Sequence, residues 1–328
     1  MVRNANNTLL HKAKSSKSDE FYTQFADIVS ELDHYKSQFR DKVVYCNCDD
    51  PLTSNFGKYF LRNFQELGLR KLYVSCYKKQ ESDLFAENDA ERASYVEYDG
   101  TCRIENFTED HLRYFVGDGD FRSRESVAIL KEADIVVTNP PFSLFREFVA
   151  QIVRFDKKFL IIGNINAITY KEIFKLIQEN KAWLGVNLGR GISGFIVPEH
   201  YELYGTETKI DDQGNRIISP NNCLWLTNLE HPLRNENIPL MMTYKGNETR
   251  YPKYDNYDGI NVDKTQDIPS DYDGAMGVPI TFLHKFNPRQ FEIIKFRKGN
   301  DNKDLSIDGR CPYFRILIRR IQLSIHNC

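Results

Sequence analysis

Ala133-Asp134-Ile135-Val136-Val137-Thr138-Asn139-Pro140-Pro141-Phe142 reads as a buried strand, Ile135 to Thr138, cut off at an Asn-Pro-Pro step. Neither proline offers a backbone N–H, so a central strand cannot run on through them. Proline also drives the residue before it into extended geometry. Asn139 is therefore held at the carboxyl end of a strand, with an aromatic ring three residues on. That edge is where open α/β sheets place their ligands. Behind it, Phe142, Phe145, Phe148, Val149 and Ile152 form one apolar stripe at helical spacing.

The chemistry suited to this turn is transfer to an amino group on a planar ring. Such an amine, adenine N6 for example, is a poor nucleophile because its lone pair is delocalised into the ring. The Asn139 side-chain oxygen and the Pro140 carbonyl are two neutral acceptors that would take both N–H bonds and localise that lone pair. Phe142 would stack on the ring face. A strand-ending Asn-Pro turn accounts equally well for the bare tripeptide. The aromatic at the fourth position, with a strand before and a helix after, favours the functional reading.

The same strand-then-helix texture surrounds this unit. Lys42 to Cys46 reads as a strand and Asn47 to Pro51 as a loop. Thr53 or Ser54 then caps a helix carrying Phe56, Tyr59, Phe60, Phe64 and Leu67. This first βα unit is the usual nucleotide site, and its helix N-terminus could receive the carboxylate of a bound amino acid. Leu72 to Cys76 is a second strand, and the polar residues 80–105 read as an insertion or as a loop with an edge hairpin. Arg113 to Val116 leads into Gly117-Asp118-Gly119-Asp120-Phe121, a turn ahead of a helix Ser123–Lys131. Lys158 to Gly163 is a strand, Thr169–Glu179 a helix and Trp183 to Leu188 strand-like. A helix is also expected from Ser18-Asp19 onward, with Phe25, Ile28, Val29, Leu32 and Phe39 on one face. Repeated βα units to about residue 190 call for a largely parallel sheet covered on both faces.

Gly189, Gly191 and Gly194 introduce a further β run, Phe195 to Val197, and not a helix, so they are no dinucleotide fingerprint. They suit a loop closing over a bound base, with Phe195 as its partner. With no GxGxxG after the first strand either, a nucleotide-dependent oxidoreductase is set aside. From Asn222 onward, polar loops rich in Tyr, Asn and Asp separate short strands. Tyr251, Tyr254, Tyr257 and Tyr272 there suit nucleic-acid contact or plain loop packing.

The 328 residues carry a net charge of −2, which by itself does not announce a nucleic-acid binder. Its distribution says more: Arg3, Lys12, Lys14 and Lys17 meet no acid within residues 1–18, and residues 285–320 are strongly basic. Basic ends suit a phosphate backbone, or ordinary solvated surface. No apolar run reaches the roughly 20 residues of a membrane span. With no apolar signal core at the start, a cytoplasmic location is expected. Seven cysteines without a CxxC pair argue against a disulfide framework or a zinc site, and no metal is expected.

The tetrad Asn139-Pro140-Pro141-Phe142 resembles the (D/N/S)PP(Y/F/W) signature of amino-group methyltransferases. The chain as a whole is similar to the EcoRI-type adenine-N6 DNA modification methylases. The likeness includes Leu9-Leu10-His11-Lys12-Ala13-Lys14, Ser18-Asp19-Glu20-Phe21-Tyr22-Thr23-Gln24, Val43-Val44-Tyr45-Cys46-Asn47-Cys48-Asp49-Asp50-Pro51 and Lys253-Tyr254-Asp255-Asn256-Tyr257, and runs to about residue 315. Residues 316–328 lie outside it.

The resemblance implies an α/β, Rossmann-like S-adenosylmethionine-dependent methyltransferase sheet covered by helices. It implies Asn139, Pro140, Pro141 and Phe142 as the catalytic turn. Tyr22 and Thr23 would lie against the cofactor's methionine part, and Asp49, Asp50 and Pro51 at its ammonium group. Asp120 would accept from the cofactor's adenine amino group, and Phe121 would pack on that ring. Leu52, Thr53 and Ser54 stand where the family's glycine-rich turn usually follows. The expected domains are a flexible basic arm, 1–18, a catalytic domain, 19–219, and a DNA target-recognition region, 220–328. The expected substrate is double-stranded DNA, methylated by a monomer at the second A of GAATTC, a site shared with a cognate restriction endonuclease that need not bind. An RNA or protein amide target, or an inactive DNA-binding relative, stays open at this point.

Overall fold

A computed structural model describes residues 22–77, 93–101, 108–187, 192–197, 208–211, 214–218 and 222–322. The basic arm, Leu9 to Lys14, Ser18 to Phe21, Gly189 and Gly191 lie outside the described residues, as does much of the expected insertion 80–105.

In chain order the first elements are β1 (Tyr22–Thr23), α1 (Phe25–Leu32), β2 (Val43–Cys46), α2 (Asn55–Arg62), α3 (Phe64–Leu67), β3 (Lys71–Ser75), β4 (Ser94–Tyr98) and β5 (Arg113–Tyr114). Then come α4 (Arg124–Glu132), β6 (Ile135–Thr138), α5 (Phe145–Arg154), β7 (Lys158–Asn164), α6 (Lys171–Gln178) and β8 (Trp183–Leu184). The remainder is β9 (Phe195–Val197), β10 (Thr208–Ile210), β11 (Arg216–Ile218), β12 (Cys223–Thr227), β13 (Gly259–Asn261), β14 (Ala275–Pro279), β15 (Phe291–Phe296) and β16 (Arg315–Arg320). The class is mixed α/β, and the chain folds as two compact units, Met1–Tyr170 with Gly185–Leu229, and Lys171–Leu184 with Glu230–Cys328. The division expected at residue 220 differs from these units: β12 falls in the first, and residues 171–184 in the second.

The main sheet of the first unit has the strand order β5-β4-β3-β2-β6-β7-β12. Its centre, β3-β2-β6-β7, is parallel. Its flanks are not: β4 and β5 on one side and β12 on the other run antiparallel, so the expected largely parallel sheet holds only at the centre. The central strands are apolar on both sides because both faces are covered. Val44, Cys46, Leu72, Val74, Ile135, Val137, Leu160 and Ile162 pack in one core with Ile28 and Leu32 of α1 and Phe56, Tyr59 and Phe60 of α2. The helix expected from Ser18-Asp19 begins only at Phe25, because Tyr22 and Thr23 pair antiparallel with Ile196 and Phe195. Those pairs open a second, small sheet, β1-β9-β11-β10.

The second unit holds the sheet β13-β14-β16-β15. Strand β16, in the stretch that matches no motif, lies between β14 and β15 with Ile316, Leu317 and Ile318 fully buried. Tyr251 and Tyr254 are buried too, and the Tyr254 hydroxyl donates to Asn261 Oδ1 at 2.9 Å, so both are core packing. Much of the basic charge is paired: Arg297 and Lys298 share Asp304, Arg319 meets Glu292 and Arg315 meets Asp263. No described helix is long and apolar enough to cross a membrane.

Candidate active site

The carboxyl ends of β2, β3 and β6 share one edge, and three loops gather there. Asn139 leaves β6, and Pro141 begins a short 3₁₀ turn, Phe142–Leu144, that runs into α5. Asn139 and Phe142 are half-buried, and the Phe142 ring meets Phe195 edge-on at 6.3 Å. Phe195 has no exposed surface, so it braces Phe142 and cannot itself face a base. In register with Phe195 lies Thr23, whose carbonyl accepts from Asn55 Nδ2 at 2.8 Å. The Tyr22-Thr23 motif and the Asn-Pro-Pro-Phe turn are thereby brought together across β9.

After β2, Asp49 turns inward. Ser54 Oγ donates to its Oδ1 at 2.7 Å, and Thr138 Oγ1 makes a short bond to Oδ2. Its own N–H donates to the Ser75 carbonyl at 2.9 Å. Burial pushes the Asp49 carboxyl up to about 6, against the pull of the two hydroxyls. Asp49 thus ties the ends of β2, β3 and β6 to the start of α2, and it holds the residue directly before Asn139. Asp50 is also engaged: its Oδ1 accepts from the Leu52 and Thr53 backbone N–H groups at 3.0 and 2.9 Å. Ser54 caps α2 by taking the Phe56 and Gly57 N–H groups. That helix N-terminus therefore offers a carboxylate less than its sequence promised.

The Gly117 to Phe121 turn closes on the end of β3. Gly119 has φ of 74°, and a Cβ there would lie 2.4 Å from the Cys76 carbonyl, so only glycine fits. Asp120 accepts from Arg122 N, Nε and Nη2 at 2.7, 2.9 and 2.7 Å. The guanidinium holds its carboxyl below the usual range. Phe121 is buried edge-on against Phe148 of α5 at 5.2 Å. Gln151 of α5 donates to the Phe121 carbonyl at 3.1 Å, which ties this turn to the helix after the tetrad.

A family model described as adenine-specific methyltransferase EcoRI matches residues 9–321. The chain belongs to this family of adenine-specific methyltransferases. It is 65% identical over 327 residues to the Type II methyltransferase M.EcoRI of Escherichia coli, covering 99% of this chain and 100% of that protein. It is 38% identical to the Type II methyltransferase M.MpnI of Mycoplasma pneumoniae, covering 95% of this chain and 98% of the relative. The Type II methyltransferase M.MgeORF184P of Mycoplasma genitalium is 36% identical, with 95% and 99% covered. No solved structure matches significantly. The chain is an adenine-specific DNA methyltransferase. The family match continues beyond residue 315, through β16.

Sequence reasoning missed part of this methyltransferase's edge. Thr138 and Ser54 matter as partners of Asp49, and the pairing joins positions 89 residues apart. Asn47 and Asn164, at the ends of β2 and β7, are both buried. Asn47 Oδ1, Asn164 Nδ2 and Thr23 Oγ1 have no hydrogen-bond partner among the described residues. Asparagine at a strand end looks like a turn former, so neither asparagine carried a signal.

Proposed function

We propose that this methyltransferase moves the methyl group of S-adenosylmethionine to N6 of the second adenine in GAATTC, in double-stranded DNA, with the base turned out of the stack. The observation that carries the reading is the Asn139-Pro140-Pro141-Phe142 turn at the end of a central parallel strand, pinned through Thr138 by Asp49. The family resemblance supports the recognition site, action as a monomer on one strand per event, and work in the cytoplasm beside a cognate endonuclease. It also supports a Rossmann-like reading of the main sheet and DNA recognition by the second unit.

The residues at the edge fit the cofactor. Thr23 Oγ1 and Asn47 Oδ1 are buried polar atoms without a hydrogen-bond partner among the described residues, each costing about 1–3 kcal/mol until a ligand answers it. Asn47 Oδ1 is an acceptor suited to an ammonium group. Tyr22, Thr23, Asn47 and the Asp49 to Pro51 loop would hold the methionine part. Asp120 retains acceptor capacity beyond Arg122 for an adenine amino group, with Phe121 packed behind it. S-adenosylmethionine supplies an electrophilic methyl group on a sulfonium.

Turning adenine out of a duplex costs about a few kcal/mol. Asn139 and the Pro140 carbonyl accept both N6 hydrogens and aim the lone pair. Phe142, braced by Phe195, stacks on the base. Most of the rate then comes from positioning. Replacing Asn139 by Ala removes one acceptor and loosens the other. Methyl transfer should fall at least about 100-fold, equivalent to roughly 2.7 kcal/mol. DNA affinity should survive, and unchanged turnover would overturn the role given to Asn139.

A further inference from the structure

Asn164, the last residue of β7, belongs to none of the motifs above. Its side chain is more than nine-tenths buried, and Nδ2 has no acceptor among the described residues. The amide orientation is set by its other end: Oδ1 accepts the Asn166 N–H at 2.8 Å and caps the turn Ile165–Thr169. The backbone is held as well, because Asn164 is in register with Cys223 of β12 and Ile165 N donates to the Asn222 carbonyl at 2.6 Å. A rigid buried donor without an acceptor points to a ligand that brings one.

Its place in the sheet identifies that ligand. Strand β7 is the parallel neighbour of β6, with Ile161 beside Thr138. Side chains alternate along a strand. Ile135 and Val137 of β6 and Leu160 and Ile162 of β7 face one core, so Asn139 and Asn164 continue the same face. Gly163 faces the other way, where a Cβ would lie 2.6 Å from the Phe145 ring. Strand spacing and rise put the two asparagine backbones on the order of 8 Å apart. Phe142 packs against that same core. A spacing of that order is the scale of a planar base held between two amides, with its amino group at Asn139.

We propose that Asn164 Nδ2 donates a hydrogen bond to a ring nitrogen flanking the amino group of the target adenine, N1 or N7, and so fixes the base's rotation in its own plane. This rests on the adenine-N6 reading above and deepens it. Asn139 and Asn164 together then read an amine beside an acceptor. At the Watson–Crick edge guanine offers an oxygen beside a protonated N1, and thymine an oxygen beside a protonated N3, so both place donor and acceptor the wrong way round; at the N7 edge guanine fails at Asn139 alone, where its oxygen meets an acceptor.

The test uses GAATTC duplexes whose second adenine is replaced by 1-deaza-, 7-deaza- or 3-deazaadenine. Two variants remove the amide N–H yet keep an oxygen to cap the following turn: Asn164→Asp, whose carboxylate only accepts, and Asn164→Ser, whose shorter hydroxyl lies back at the cap and out of reach of the base. The wild-type enzyme should lose about tenfold or more in kcat/KM on the 1-deaza or the 7-deaza duplex, and little on the 3-deaza duplex. Asn164→Ser should be slower by a similar factor on adenine, with no further loss on the sensitive analogue. Its affinity for S-adenosylmethionine should stay within about twofold of wild type. Losses that multiply, a wild type indifferent to both flanking analogues, or weakened cofactor binding in both variants would overturn the assignment. No transfer by the wild type to the unmodified duplex would strike the functional reading itself.

Discussion

In the second unit, Asn256 uses its whole amide: Nδ2 donates to Asp301 Oδ1 and to the Asp304 carbonyl, each at 3.0 Å, and Oδ1 accepts from Ser306 N at 3.2 Å. At the carboxyl edge of the first unit's sheet, Asn47 and Asn164 are buried, and Asn47 Oδ1 and Asn164 Nδ2 have no hydrogen-bond partner among the described residues. The pattern extends beyond these residues. Asp255 takes the Asp308 and Gly309 N–H groups, and Asp271 those of Tyr244 and Lys245, so polar side chains in the second unit staple its long loops. Loop backbone must be satisfied somewhere, and short Asn and Asp side chains do it locally. The sheet edge keeps unmet groups in a buried place, which costs stability unless something binds there. Similar residue types thus serve the fold in one region and, on the function proposed above, a ligand in the other.

Asp49 is the sharpest challenge to that division, since it stands at the edge and is fully engaged. Its folded pKa of about 6 lies above the ordinary value of 3.8. The folded chain therefore holds the proton more tightly than the unfolded one. Its contribution to stability is present below about pH 4 and is lost as pH rises through 6. We expect Asp49→Asn to remove that loss: between pH 4 and 7 the ligand-free wild type should lose about 2.4 kcal/mol more than the variant in denaturant unfolding. Parallel pH profiles for the two proteins would show that Asp49 does not carry the charge penalty assigned to it.

Next in size is Asn256→Ala. Three hydrogen bonds that hold loops together disappear, and unfolding free energy should drop by about 2 kcal/mol with cofactor affinity unchanged. Weakened cofactor binding at unaltered stability would reverse the roles of the two regions. The smallest effect is expected at Asn47→Ala. Removing a buried acceptor that no described residue satisfies should leave stability within about 1 kcal/mol, and affinity for S-adenosylmethionine should fall about five- to tenfold, measured by calorimetry. A large loss of stability there would mean the open edge is structural after all.

The same contrast explains how much could be read from the chain. Patterns that are local in sequence were legible: the strand ending at Asn139, the apolar stripe of α5, the helix from Ser123 that becomes α4 and the buried run of β7. Strand direction and partner are not local properties. The apolar run Cys223 to Thr227 announces a strand but not that it runs antiparallel to β7. Tyr22 and Thr23 form a strand only because Phe195 to Val197, about 170 residues on, is there to pair with them. The unfamiliar Ile316 to Ile318 are buried only because β14 and β15 flank them. In the site, Asn139 and Phe142 were legible because proline dictates the backbone around them. Side-chain direction was not: Asp49 turns inward to Thr138, and nothing near it in sequence says so.

The central claim is that the Asn139 edge methylates adenine N6 at one DNA sequence. The most direct measurement is transfer of a labelled methyl group from S-adenosylmethionine to two duplexes, one containing GAATTC and one with that site scrambled, followed by nucleoside analysis. The account predicts N6-methyladenine in the first duplex and none in the second. Label in neither duplex, or equal label in both, would contradict it.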